Sequence, residues 1–174
     1  YGSAGLSAYD GNMEHELFLQ TYGSSNAEGY RFGENASSYS GRAEGDIPAT
    51  VLDPEKSARA TLGFDLGFFD RRLSINAEAF AEKRSNILIS PSNVSGVIGI
   101  GVKDQSMGEN RYKGLDLSLA WNDKAGDFSY GAYANGGWLL TEVVNDGQAY
   151  QRYDYLYHAG NPIGQRYGLE VVGI

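Results

Sequence analysis

With 174 residues, 24 Gly and 13 Tyr against 4 Pro, and a formal net charge of -8, the chain has the length of one ordinary domain and a composition that favours strands and loops over helix. The acidity argues against a nucleic-acid partner, whose phosphate backbone would repel it. Without Cys there is no disulfide framework and no thiolate zinc site, and no apolar run of about 18 residues or charged-then-apolar leader is present, a test that leaves β-strand spans open.

In chain order, the first clear pattern begins at Ala58, where Ala58, Ala60, Leu62, Phe64, Leu66 and Phe68 alternate with Arg59, Thr61, Gly63, Asp65 and Gly67. Period 2 puts the first set on one face of a strand. Asp70 to Arg72 suits a tight turn, after which Leu73, Ile75, Ala77, Ala79 and Ala81 alternate with Ser74, Asn76, Glu78, Phe80 and Glu82. A second hairpin follows. Leu115, Leu117, Leu119 and Trp121 alternate with Gly114, Asp116, Ser118 and Ala120, "NDKAGD" turns the chain, and Phe128, Tyr130, Ala132 and Ala134 alternate with Ser129, Gly131, Tyr133 and Asn135.

The pattern predicts strands near 58–68, 73–83, 113–122 and 127–138, each about 10 to 12 residues, the length that crosses a bilayer when tilted. Short turns join the strands in pairs, and a loop of roughly 25 to 30 residues joins the pairs, which is uncommon in a compact soluble domain. The expected fold is all-β: an antiparallel meander of hairpins with long loops, an arc of a transmembrane β-barrel. Phe68, Phe69, Trp121 and Phe128 gather near the short turns as a girdle requires, and no charge is read on the apolar face, while Asp65, Glu78 and Asp116 lie on the other. A soluble β-sandwich also buries one face and alternates, and four strands do not close a barrel. The chain opens mid-pattern on Tyr1 and stops on apolar "LEVVGI", so it reads as incomplete.

"PEKSARATLGFDLGFFDRRLSINAEAFAEKRSNIL" followed by "ENRYKGLDLSLAWN" resembles the late barrel strands of SusC/RagA-like TonB-dependent outer-membrane transporters. "YGSAG" is similar to the family's Tyr-Gly-x-x-Gly strand end, and "GNPIGQRYGLEVVGI" to its Gly-x-Pro-Ile-Gly segment. Ala58 and Arg59 depart from the family's frequent Trp-Glu pair, and "NRYKG" is one residue longer than its Asn-x-Gly. The resemblance implies one arc of a barrel in the outer membrane of a Gram-negative bacterium, surrounded by outer-membrane lipid. It also implies an N-terminal plug outside this chain, TonB engaged through that missing part, a SusD-like surface lipoprotein as partner, and import of oligosaccharides or peptides. By strand order, the turns at 69–72 and 122–126 face the periplasm, and long loops 3–55, 85–112 and 141–174 face outwards. A soluble or surface-exposed carbohydrate-binding β-domain and a non-transporting outer-membrane adhesin are the alternative readings.

Chemistry is sparse. "HELFL" at His15 has Leu19 where a zincin needs its second His, and "GVIGIGV" at 96–102 lacks the third glycine of a dinucleotide fingerprint and a βαβ unit. It reads as an apolar loop. "NAS" at Asn35 and "NVS" at Asn93 are glycosylation sequons whose use depends on the pathway. No triad is defensible, so no enzyme activity, metal or cofactor is expected. The candidate substrate-binding segment is "YQRYDYLYH". Tyr150, Arg152, Tyr153, Asp154, Tyr155 and Tyr157 supply flat rings and polar groups of the kind a sugar or peptide site uses. The plainer reading makes Tyr153, Tyr155 and Tyr157 one face of an extended strand packed on neighbouring loops.

Overall fold

A computed structural model describes residues 1–166 and 168, except 12, 14, 15, 35 and 36. Seven strands carry the fold: β1 (Gly2–Tyr9), β2 (Tyr22–Phe32), β3 (Ser37–Glu44), β4 (Glu55–Phe68), β5 (Leu73–Ile89), β6 (Gln105–Ala125) and β7 (Phe128–Asn145). Five form one antiparallel sheet in the order β1-β4-β5-β6-β7, and β2 and β3 make a separate two-stranded ribbon between β1 and β4. No α-helix occurs among the described residues, only two short 3-10 turns.

Register makes the alternation a surface. Phe68 faces Leu73, which faces Trp121, which faces Ala132; the next rows run Leu66, Ile75, Leu119, Ala134, then Phe64, Ala77, Leu117, Gly136, then Leu62, Ala79, Leu115, Trp138. Directly paired residues share a face, so one side of the sheet is an apolar band. From Leu73 to Ala81 that band rises roughly 20 Å at about 3.3 Å per residue and about 40° tilt, approaching the ~25 Å apolar height of outer-membrane barrels. No described element covers either side of the sheet over the apolar band. Among the described apolar side chains only Leu17 and Ala49 are buried, none is fully enclosed, and Leu62, Phe64, Leu66 and Leu115 are all exposed. The chain exposes 13250 Å², where a compact monomer of 18.9 kDa would expose about 8,300 Å². A sandwich needs a second sheet against the apolar face, and the described residues provide none, so the soluble-sandwich expectation fails on packing.

Among the described residues, neither outer edge, β1 or β7, has a further neighbour. Open edges do not survive in hydrocarbon, where every backbone group must pair, so a membrane wall requires more strands on both sides.

Several boundaries differ from those expected. Segment 3–55 contains β1 and the β2–β3 ribbon, the loop after β5 narrows to 90–104, and β7 continues to Asn145. The hydrogen-bond ladder continues as long as neighbouring backbones pair, whichever solvent the side chains face, so strands outlast their hydrophobic alternation. From end to end β6 rises roughly 51 Å when tilted about 40°, about two and a half times the apolar band. Most of the surplus lies at the long-loop end, with Asn122 to Ala125 extending past Trp121 at the other. It also corrects the expectation of a charge-free face, because Lys56, Lys83, Arg111 and Lys113 share the apolar parity beyond the band.

The two short turns differ in kind. Ala125 pairs with Phe128, leaving Gly126 and Asp127 as a two-residue loop in which Gly126 takes φ 64°, the geometry that puts Gly first in a type II′ hairpin. Between Phe68 and Leu73, Phe69, Asp70 and Arg71 all have positive φ and Arg72 N–H donates to the Phe69 carbonyl at 3.1 Å. The Phe69 ring lies 6.2 Å from that of Trp121.

Candidate functional site

Two groupings carry polar chemistry. The first is the wet face of the sheet, where alternation sets Arg59, Glu78, Glu82 and Arg84 side by side on β4 and β5. Arg59 lies 3.6 Å from Glu78 and 3.8 Å from Glu82, with its guanidinium 4.1 Å over the Phe80 ring. Arg84 donates from Nε to Glu82 at 2.6 Å, reaches Glu55 at 3.8 Å, and stands 5.1 Å over the Tyr112 ring. The Ser57 hydroxyl donates to Glu82 at 2.9 Å, which leaves that carboxylate side chain only 9% exposed. Tyr1 donates from its hydroxyl to Glu78 at 2.9 Å, and Asn76 donates to Asp65. Glycines make room for the rings: a Cβ on Gly114 would strike Phe80, and one on Gly63 would strike Tyr1. The result is a ladder of carboxylates and ring-backed arginines on the side of the sheet opposite the apolar band. Alternation along the sequence places Glu78 and Asp65 on this face, but the partnerships depend on cross-strand register that alternation within one strand does not specify.

The second grouping is the loop after β7. It is not an extended strand, as its plainer reading had it, because Asp154–Leu156 form a 3-10 turn. That turn stacks Tyr153 on Tyr155 with centroids 5.5 Å apart and planes at 12°, and the Arg152 guanidinium lies 5.5 Å from the Tyr153 ring centre. Tyr150, Tyr153 and Tyr155 are 87%, 48% and 63% exposed. Tyr157 turns the other way. Its hydroxyl accepts from the Gln151 N–H at 3.0 Å and donates to the Gln151 carbonyl at 3.3 Å. Asn161 donates to the Tyr157 carbonyl at 2.7 Å, the Gln148 amide donates to the Leu156 carbonyl at 2.9 Å, and His158 Nδ1 meets Asp146 at 2.6 Å. Gly160 N–H donates to the Val143 carbonyl at 2.7 Å, fastening the loop to the end of β7. The structure therefore brings Tyr150, Arg152, Tyr153, Asp154 and Tyr155 to one exposed stretch, while Tyr157 serves as an internal tether.

The remaining motifs resolve simply. His15 and Asn35 lie outside the described residues. Leu17 from "HELFL" is buried, its carbonyl accepting from the Ala49 N–H at 2.8 Å, and Lys103 Nζ donates to the Glu16 and Leu19 carbonyls at 3.0 Å each. The 96–102 glycine run makes a 3-10 turn at Gly96–Ile98, started by Ser95 and ended by Gly99 at φ 72°, and Val102 bridges to Ile47. No group of three or more His, Cys, Asp or Glu able to hold a metal occurs among the described residues.

An open antiparallel meander with an apolar band, a wet polar face and two short turns matches a known family over residues 3–168, described as TonB dependent receptor-like, beta-barrel. The chain belongs to that family. TonB-dependent receptor barrels are outer-membrane transporters and receptors, not a class of enzymes. Solved structures with the same fold include the RagAB peptide importer in its "open-open" state, at 20% identity and TM-score 0.65 over 83% of this chain and 15% of that one. The "closed-closed" state aligns at 19% identity and TM-score 0.66, over 91% of this chain and 17% of that one. The RagAB peptide transporter aligns at 20% identity and TM-score 0.61, over 82% and 15%. The chain thus spans less than a fifth of those barrel proteins, consistent with the open edges of its sheet.

Proposed function

We propose that this chain is part of the wall of a TonB-dependent importer in the outer membrane of a Gram-negative bacterium. The short turns face the periplasm and the long-loop end faces outwards. The whole transporter takes up peptides or oligosaccharides with a SusD-like surface lipoprotein and draws energy through TonB contacts outside this chain. The observation that carries the reading is the single-layer sheet whose apolar band approaches bilayer height on one face, with an ion-pair ladder on the other. The likeness to RagAB, a peptide importer, supports a peptide ligand, and the stacked tyrosines beside Arg152 suit peptide backbones and sugar rings alike.

In this reading Tyr150, Arg152, Tyr153, Asp154 and Tyr155 contact ligand or lipoprotein, and Tyr157 holds the loop in shape. Tyr153→Ala with Tyr155→Ala in the intact transporter removes the stacked pair, and stacking contacts of this kind contribute about 0.5 to 1.5 kcal/mol each beyond their area. Ligand affinity measured by calorimetry is expected to fall about tenfold at normal outer-membrane abundance. Unchanged affinity at normal abundance would remove the loop from the binding site.

A further inference from the structure

The apolar face ends at the long-loop side in a line of lysines that neither the ladder nor the tyrosine loop uses. On β6 the first charge beyond the band is Lys113, which pairs with Ala81 on β5; the next position of that face on β5 is Lys83, which pairs with Ala58 on β4; the next on β4 is Lys56. Each step moves one same-face position along the strand per strand crossed. That is about 6.6 Å along for every ~4.8 Å across. Strands tilted by about 35 to 45° require a shift of roughly 3.4 to 4.8 Å per strand to stay at one depth, and period 2 permits only even steps, so one same-face position is the nearest available. The opposite boundary slants the same way, with Phe68, Leu73 and Trp121 in one row and Tyr130 and Phe128 in the rows beyond it on β7. Lys56, Lys83 and Lys113 therefore lie at one height in the bilayer, at the rim of its apolar zone.

Charge at this rim opposes that of the chain. Lys56, Lys83, Arg111 and Lys113 share the face with Glu109 and Glu142, two more cations than anions in a chain of net charge -8. Glu109 is shared between Lys83 at 2.9 Å and Arg111 at 3.6 Å, and Lys56 and Lys113 have no ion pair among the described residues. Beside the line lies a shallow concavity of about 380 Å³. Its lining includes the small side chains of Ala4, Ala58, Ala60 and Ala81 and the long ones of Lys83, Arg111 and Lys113. Alanines leave room for an acyl chain, and lysine stems snorkel along it with their charges at the headgroups.

We propose that Lys56, Lys83, Arg111 and Lys113 bind the phosphate groups of a phosphorylated lipid in the leaflet at the long-loop end, its acyl chain lying over the alanine floor. The inference rests on the membrane-wall reading above, and on its outward orientation for the choice of leaflet.

The test uses the intact transporter, delipidated in detergent and exposed to phosphatidylcholine micelles doped with a bisphosphorylated glycolipid, diphosphoryl lipid A, or with the same glycolipid stripped of phosphate. Native mass spectrometry counts retained lipid. The phosphorylated form is expected to be held, with affinity falling about fivefold for Lys113→Gln alone and about 100-fold for the triple Lys56→Gln, Lys83→Gln, Lys113→Gln variant. The triple Lys→Arg variant retains binding, and Lys124→Gln at the short-turn end leaves it unchanged. Equal binding of the dephosphorylated form, or wild-type retention by the triple Gln variant, would overturn the site. Loss of the lipid to millimolar inorganic phosphate would overturn the lipid assignment in favour of a free anion. Heat-modifiable gel mobility separates the two readings: a wild-type protein without a folded barrel refutes the wall, whereas a folded barrel with unaltered lipid binding refutes only the lysine site.

Discussion

Phe64 stands in the middle of the apolar band, in the row that joins it to Ala77, Leu117 and Gly136, and its side chain is 55% exposed with no covering element. If the sheet is the proposed membrane wall, Phe64→Arg puts a guanidinium where it faces hydrocarbon, at a cost of about 2 to 4 kcal/mol at the midplane. That corresponds to roughly a 30- to 900-fold shift in the folding equilibrium at 1.36 kcal/mol per decade. Ala81→Arg supplies the comparison. Ala81 lies one same-face position inside the rim at Lys83, near the interface, where the same charge costs about 0 to 1 kcal/mol. Urea titration of the intact protein in phosphatidylcholine vesicles measures both. A steep loss at Phe64 with little change at Ala81 is the signature of a depth gradient. On a sheet facing water on both sides, either substitution would stay within about 0.5 kcal/mol. Equal small effects at the two positions would refute the membrane face, and equal large effects would refute the assignment of the rim.

Further outcomes follow from the local geometry. Gly126→Val forces a β-branched residue into a left-handed turn position and is expected to cost about 1 to 3 kcal/mol in the same urea titration, whereas Gly126→Asn costs less. Gly114→Val drives a side chain into the Phe80 ring and is expected to lose about 1 to 3 kcal/mol, with much of it restored when Phe80→Ala is added; a double-mutant cycle with no coupling would refute the close approach.

Much of the fold was legible in the residues themselves. Ala58 to Phe68, Leu73 to Ala81 and Leu115 to Trp121 alternate without interruption, and because period 2 belongs to the strand itself, the two faces and both hairpins could be read before any pairing was known. β1 could not. Its Gly2, Ala4, Leu6 and Ala8 oppose Ser3, Gly5, Ser7 and Tyr9, a contrast too weak to mark a strand until the β4 edge supplies its hydrogen bonds. The tyrosine segment was found by composition, but its shape was not. A local 3-10 turn and contacts from Gln148, Gln151 and Asn161 divide its rings into an exposed stack and an internal tether.

The sequence by itself determined that the strands carry one apolar and one polar face, because side-chain alternation is a property of each strand alone. Only the tertiary structure decided which residues meet. The Arg59–Glu82–Arg84 ladder, the ring over Gly114 and the slanted line from Lys113 to Lys56 all depend on register, and register is set between strands by their pairing and shared twist, which no single strand encodes.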